Sequence, residues 1–508
     1  MAEGRALELE PAEGTHLLEP SSAAPPARVG IVIKRVVGCT GMLAGAAALA
    51  AAVYSHTEAT SVKMARSRFR RPFRLYEGEL KMPDKALQYD GISDARPVDI
   101  KDNGAGVTSV FVLGDWGATL PWHNTFGAHG YDMKSQVQVA NAIKIRAKWA
   151  NPQYVLNVGD NFYVEGLEYS CNQPPSAIWG APAYGMKGTD AFSSGWQQMY
   201  GPVANVPWLS VLGNHDYGGW MFTMGWDQAI TYTWATSLPT STGRWMTPAQ
   251  YWSVKVKYPD FAVDYFFVDS NNHDAKAPDE TPNHNICSRK HNLHVGATCG
   301  TIGPTSVEDC VQWFQALWSA QLKWISAGLA ASTAEWQVVV THFPPLAAWG
   351  VNDWKQLSYE YGIDLIVTGH KHWQEFNHFE GPLAPTGVII TGGGGGITSE
   401  AEPDRYGVDD QYGFVDLTLS REEIVVEMIS HGGHIRATGC VTQRAPRQTY
   451  KTVVSGVSLC DGKPERGQPA QKPSPGSQWI RPDPTTPSPY YADAAGGGFA
   501  AAQAPAAP

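Results

Sequence analysis

Five short apolar runs of this chain each end at a glycine or threonine followed by side chains able to bind a metal: Asp115, then Asp160 with Tyr163, then Asn214, then His342, then His370 with His372. The runs are Val107 to Leu113, Tyr154 to Val158, Trp208 to Leu212, Trp336 to Val340 and Leu365 to Val367. Continuous Val, Ile, Leu and Phe between turn residues suits strands covered on both faces. In α/β sheets, polar residues that serve a ligand gather beyond the carboxyl ends of such strands. The pattern therefore requires an α/β fold in which five strand ends converge on one site.

Two carboxylates, a carboxamide, three imidazoles and a phenol form a mixed oxygen and nitrogen set. Oxygen donors alone suit Ca²⁺, whereas imidazoles favour Zn, Fe, Cu or Ni, so the mixture points to transition metals. Seven side chains are too many for one tetrahedral ion. They suit two metals bridged by one carboxylate, an arrangement that stabilises both attacking and leaving oxygens in phosphoryl chemistry. The pair His370 and His372 reaches such a centre from a loop or irregular turn.

Gly114-Asp115-Trp116-Gly117, Gly159-Asp160-Asn161-Phe162-Tyr163, Gly213-Asn214-His215-Asp216, His342 and Gly369-His370-Lys371-His372 resemble, in order, the five blocks of the purple acid phosphatases. These are calcineurin-like metallophosphoesterases, and the spacing is similar to the small tartrate-resistant type. The resemblance spans residues 105 to 430 and implies a four-layer α-β-β-α sandwich. It further implies that Asp115, Tyr163 and His372 bind Fe³⁺, that Asp160 bridges, and that Asn214, His342 and His370 hold a second divalent ion, Fe, Zn or Mn. His215 would stand beside the substrate phosphate, steadying it or protonating the leaving alkoxide. The implied activity is an acid phosphatase that hydrolyses phosphate monoesters, small molecules or phosphoproteins, by attack of a metal-bound hydroxide. Phosphodiester or pyrophosphate cleavage, and a noncatalytic membrane-anchored binding protein on the same scaffold, are the rival readings.

Two departures from the family bear on substrate. Its small members carry a further histidine shortly after the one matching His342, and Pro344 to Asp353 contains none. His273, His284, His291 and His294, in the enlarged stretch 271–309, offer replacements. A second insertion spans Cys171 to Asp190. The run Gly392 to Gly396 reads as a flexible turn near the site and matches no nucleotide-binding fingerprint.

The 508 residues divide into a flexible segment over 1–35, a signal anchor or signal sequence over 36–54, a basic linker over 55–100, a metallophosphoesterase domain over 101–460 and a disordered low-complexity tail over 461–508. Val36 to Tyr54 is uncharged and long enough to cross a bilayer, so the chain is expected to meet a membrane through it. Arg68-Phe69-Arg70-Arg71 is either a lipid-facing basic cluster or a processing site that would release the domain. Cys171, Cys287, Cys299, Cys310, Cys440 and Cys460 are an even six, suited to disulfides in the secretory pathway or to buried thiols. A net charge of -10 gives no electrostatic basis for nucleic-acid binding, and the chain is expected to be a monomer. Apolar spacing predicts helices over Ser135 to Ala150 and Val311 to Leu329, and strands over Phe414 to Leu419 and Ile424 to Ile429.

Overall fold

The computed structural model describes residues 82–99, 108–117, 132–163, 165–167, 170–173, 191–235, 244–282, 284–293, 296–377, 382–396 and 403–443. The apolar span Val36 to Tyr54, the basic cluster Arg68 to Arg71 and the tail 461–508 lie outside the described residues. Among the described residues no helix is long and apolar enough to cross a membrane.

Successive side chains of a strand point to opposite faces, and here they enter different cores. In β2 (Thr108–Leu113), Val110 and Val112 join a core with Leu156, Val338 and Leu365, while Phe111 and Leu113 join another with Val139 and Ile143. In β8 (Trp336–Thr341), Val338 and Val340 face the first core and Val339 faces a third, with Ile325, Leu329 and Trp354. Three cores between successive layers give the helix, sheet, sheet, helix sandwich. The first core lies between the two sheets.

One sheet runs β1 (Ile92–Asp99), β6 (Trp252–Lys257), β7 (Ala262–Val268), β8, β9 (Leu365–Thr368), β11 (Gly387–Thr391), β10 (Gln374–Asn377). The other runs β14 (Ile435–Thr442), β13 (Glu423–Ser430), β12 (Gly413–Leu419), β2, β3 (Val155–Asn157), β4 (Trp208–Ser210), β5 (Trp245–Met246). Strands β7, β8, β9 and β11 are mutually parallel, as are β2, β3, β4 and β5. Helix α1 (Asp132–Ala150) covers the second sheet with Val139, Ala140 and Ile143. Helix α2 (Trp226–Trp234) precedes β5. Helix α3 (Val307–Ala331) begins at Ser306, whose hydroxyl accepts the Asp309 N–H at 3.2 Å as an N-cap, and it covers the first sheet together with α4 (Val351–Tyr361).

Two points differ from the sequence expectation. Residues 55–100 read as a basic linker, yet Ile92–Asp99 is an edge strand paired in parallel with β6. In the sequence, Asp94, Arg96, Pro97 and Asp99 interrupt the apolar alternation that marks a strand. Gly392 to Gly396 is not a loose turn: all five residues are buried, Gly394 N–H donates to Gly114 O at 3.0 Å and Gly396 N–H to Asp115 O at 2.8 Å. A side chain at Gly396 would meet the Tyr163 ring.

Cys171 bonds Cys299 and Cys287 bonds Cys310, and Cys440 is also disulfide-bonded. Such bridges suit an oxidising, secretory or extracellular compartment.

Burial pushes the carboxyl groups of Asp227 and Asp274 up to about 7 and that of Asp269 up to about 6. Each keeps its proton in the folded chain well above the unfolded value of about 3.9. The folded state then binds more protons than the unfolded one over that interval, so stability falls as pH rises from about 4 to 7. Thermal unfolding should therefore give a higher midpoint at pH 5 than at pH 8, corresponding to a stability difference on the order of a few kcal/mol. A midpoint that rises with pH over this interval would contradict it.

Candidate metal centre

The parallel strands of both sheets deliver their carboxyl ends to one place. Asp115 follows β2, Asp160 and Tyr163 follow β3, and Asn214 and His215 follow β4; His342 follows β8, and His370 and His372 follow β9. Asp115, Asp160 and His370 all take left-handed backbone, with φ of 55°, 49° and 65°, which turns the chain sharply at each strand end. Such conformations are disfavoured for residues with a Cβ and persist where the surroundings impose them. Gly213 permits a close approach to the bridge candidate, since a Cβ there would lie 2.1 Å from Asp160 Oδ1.

All seven candidate ligands meet, in two groups joined by Asp160. On one side Tyr163 Oη lies 3.3 Å from Asp115 Oδ1 and 3.2 Å from His372 Nε2, and His372 Nε2 lies 3.5 Å from Asp115 Oδ1. On the other side Asn214 Oδ1 lies 3.1 Å from His342 Nε2 and 3.2 Å from His370 Nδ1. Asp160 Oδ2 touches both groups, at 2.8 Å from Tyr163 Oη and 3.4 Å from His342 Nε2. Atoms of Asp160, His342 and His370 all lie within 4.8 Å of one another, as ligands of a single ion would.

Backbone contacts set the orientation of these side chains. His342 Nδ1 is 2.8 Å from the carbonyl of Val158, which only accepts, so Nδ1 carries a proton and Nε2 is the ring nitrogen that faces the centre. The His370 N–H reaches both Asp115 oxygens at 3.0 Å, and the His215 N–H donates to Asp160 Oδ1 at 2.8 Å. Behind them Asp216 accepts from Gly213 N at 2.7 Å, Asn161 N at 3.0 Å and Asn161 Nδ2 at 2.8 Å. That clamp ties the second and third loops together. Asn161 and Asp216 carry no ligand signature; their only sequence signal is adjacency to Asp160 and His215.

The electrostatics favour bound cations. Asp115 and Asp160 are each 1% exposed, and among the described residues no lysine or arginine pairs with either. Burial raises the Asp115 carboxyl above its usual range; burial also opposes ionisation of Asp160, but His342 and His215 hold it below the usual range. Burial, then the charges of Asp160 and Asp115, push the Tyr163 phenol well up. The His342 imidazole is pulled against its burial to about 9 by Asp160 and Asp115, while burial and His342 push His370 well down. Two buried carboxylates and a phenol oxygen in mutual contact need positive charge that the described side chains supply only through histidine. The donor set thus fits metal ions.

His215 is not in the ligand cluster. Its ring stands 4.5 Å from the Tyr163 ring and 6.0 Å from that of Trp220, half-buried at the edge of the centre. His273 packs against Trp318 and Phe343, and His291 lies 5.7 Å from Trp220; His294 is outside the described residues.

Residues 108–374 match the family model described as calcineurin-like phosphoesterase. The chain is 26% identical over 345 residues to purple acid phosphatase 3 of Arabidopsis thaliana, covering 65% of this chain and 76% of that protein. It is 22% identical over 360 residues to rabbit (Oryctolagus cuniculus) tartrate-resistant acid phosphatase type 5, covering 65% of this chain and 90% of the relative. Among solved structures it is similar to GAP50, the anchor in the inner membrane complex of Plasmodium, with 15% identity, 67% of this chain and 90% of that chain covered, and a TM-score of 0.43. The matched residues contain every strand end of the candidate centre, and the chain belongs to the calcineurin-like phosphoesterase family.

Proposed function

We propose that this chain is a purple acid phosphatase-like hydrolase of phosphate monoesters with an Fe(III) and divalent metal pair. The observation that carries the reading is the partition of the ligand set by Asp160. Asp115, Tyr163 and His372 form a group with two anionic oxygens when Tyr163 is ionised, suited to the trivalent ion, and Asn214, His342 and His370 form a neutral group suited to Fe²⁺, Zn²⁺ or Mn²⁺. When bound, such a pair supplies Lewis acidity toward phosphoryl oxygens and lowers the pKa of coordinated water.

The side chains supply the rest. Tyr163 and Asp115, buried, keep bulk water from one side of the centre. His215, held through its backbone N–H on Asp160, presents an imidazole at the edge where it can hold a proton for the leaving alkoxide. The disulfides support a secretory setting, with the span 36–54 as anchor or signal and 101–460 as the catalytic domain. The chain would act there as a monomer.

A panel of phosphate monoesters, diesters and pyrophosphates tests the reading on the metal-loaded full chain. Monoesters should be turned over fastest in mildly acidic buffer. His215→Ala should retain both metals while turnover falls about 10²- to 10⁴-fold, the range for loss of a general acid. Preferential diester or pyrophosphate cleavage would overturn the monoester assignment, and no turnover of any ester by the metal-loaded chain would favour a binding role.

A further inference from the structure

Among the described residues, six other than glycine take left-handed backbone: Asp115, Asn151, Asp160, Asn172, His284 and His370. Three are candidate ligands, and two are asparagines, which adopt this conformation readily. The sixth, His284 at φ 50°, is an exposed imidazole whose ring centre lies 6.3 Å from that of His370, edge to face. It makes no hydrogen bond among the described residues, and the charges of His215, Lys276, Asp160 and His372 reach it.

The base under His284 is built to be rigid. Residues Asn285 to Ser288 are at most 1% exposed. Asn285 Oδ1 accepts from Lys276 N at 3.1 Å and Cys287 N at 2.9 Å, and its Nδ2 donates to Ala277 O at 2.9 Å. Cys287 is bridged to Cys310 on α3, and Ile286 N donates to Asp274 O at 2.9 Å. Asn292 then fastens the loop to the Trp220 segment, accepting from Phe222 N at 3.2 Å and donating to Trp220 O at 3.2 Å. So much fixed backbone holds up one exposed ring whose ring contact is with the candidate ligand His370. The ring also sits where the centre opens. Asp115, Asp160, Asn214 and His342 are at most 1% exposed, whereas His215, His370 and His372 are partly exposed and form the accessible edge that His284 faces.

We propose that His284 is a substrate-binding residue that donates a hydrogen bond to a phosphoryl oxygen of the group held at this centre. The proposal rests on the phosphoesterase reading of the site but not on turnover. One imidazole N–H directed at an anionic oxygen is a charge-assisted contact, stronger than a neutral hydrogen bond.

Calorimetric titration of inorganic phosphate into the metal-loaded full chain tests it, with metal content measured on the same samples. His284→Ala should keep its metals and weaken phosphate binding about tenfold or more, the loss expected for one hydrogen bond to a charged group. His284→Gln, which keeps an N–H of similar reach, should recover most of that affinity. Unchanged phosphate affinity in His284→Ala overturns the proposal. So does loss of metal from that variant, because His284 would then act on the ligands and not on the phosphate. A wild-type chain that binds phosphate through His284 but hydrolyses no ester would remove the phosphatase function and leave this contact standing.

Discussion

Asp160→Asn should yield a folded protein that no longer retains two metals per chain and whose phosphate-ester turnover falls about 10³-fold or more. Asp160 Oδ2 is the atom shared by the two ligand groups, in contact with Tyr163 on one side and His342 on the other. The amide keeps the shape and can still accept from the His215 N–H, so the loop should hold its position. What it removes is the negative charge that would neutralise both ions of the proposed pair. Metal pairs contribute several kcal/mol of charge stabilisation in the transition state, and each 1.36 kcal/mol is a factor of ten in rate. Metal analysis and kinetics on one preparation check the result. Retention of two metals with near-normal turnover would remove Asp160 from the bridging position.

Arg146→Ala should cost about 3–5 kcal/mol of stability while leaving the centre intact, because it breaks a buried ion cluster by removing one partner. Arg146, on α1, is 5% exposed; its Nε lies 2.6 Å from Asp416 Oδ2 and its Nη2 pairs with Glu427. Asp416 and Glu427 sit side by side on paired positions of β12 and β13, and Ser109 on β2 donates to Asp416 at 2.7 Å. The guanidinium therefore pins α1 across the middle of the second sheet. Without it, two buried carboxylates on adjacent strands lose their shared counter-charge and must protonate or drag in water. Urea unfolding measures the loss, and a cost below about 1 kcal/mol would show that the cluster is already screened. Replacing all three side chains by apolar residues of similar volume should recover much of the loss, since such exchanges are often neutral or stabilising.

The candidate centre was legible in sequence because each candidate ligand stands within a few residues of the end of an apolar strand, and parallel strands bring their ends together. Asp115, Asp160 and His370 needed only the strand and the turn after it. The pairings that depend on tertiary approach were not legible. Cys171 finds Cys299 across 128 residues and Cys287 finds Cys310 across 23, and spacing alone chooses neither. Strand β1 was not legible because its charges and proline interrupt the apolar alternation that marks a strand. Gly392 to Gly396 looked like slack and is instead a packed wall behind Asp115 and Tyr163, where the absence of side chains is what the close backbone approach requires. The position of His284 follows from a disulfide, two asparagines and a left-handed turn, none of which has a periodic signature.

The proposed centre is an Fe(III) and divalent metal pair with Tyr163 as a phenolate ligand. Burial and the two nearby carboxylates keep the Tyr163 phenol protonated unless a strongly charged cation replaces its proton. The direct measurement is the visible spectrum and metal content of one sample of the full chain purified from an oxidising host, beside Tyr163→Phe. The expected result is about two metals per chain, including iron, and a broad visible absorption that is absent from Tyr163→Phe. Two metals with the same spectrum in both proteins, after the oxidation state of the iron has been set, would contradict it.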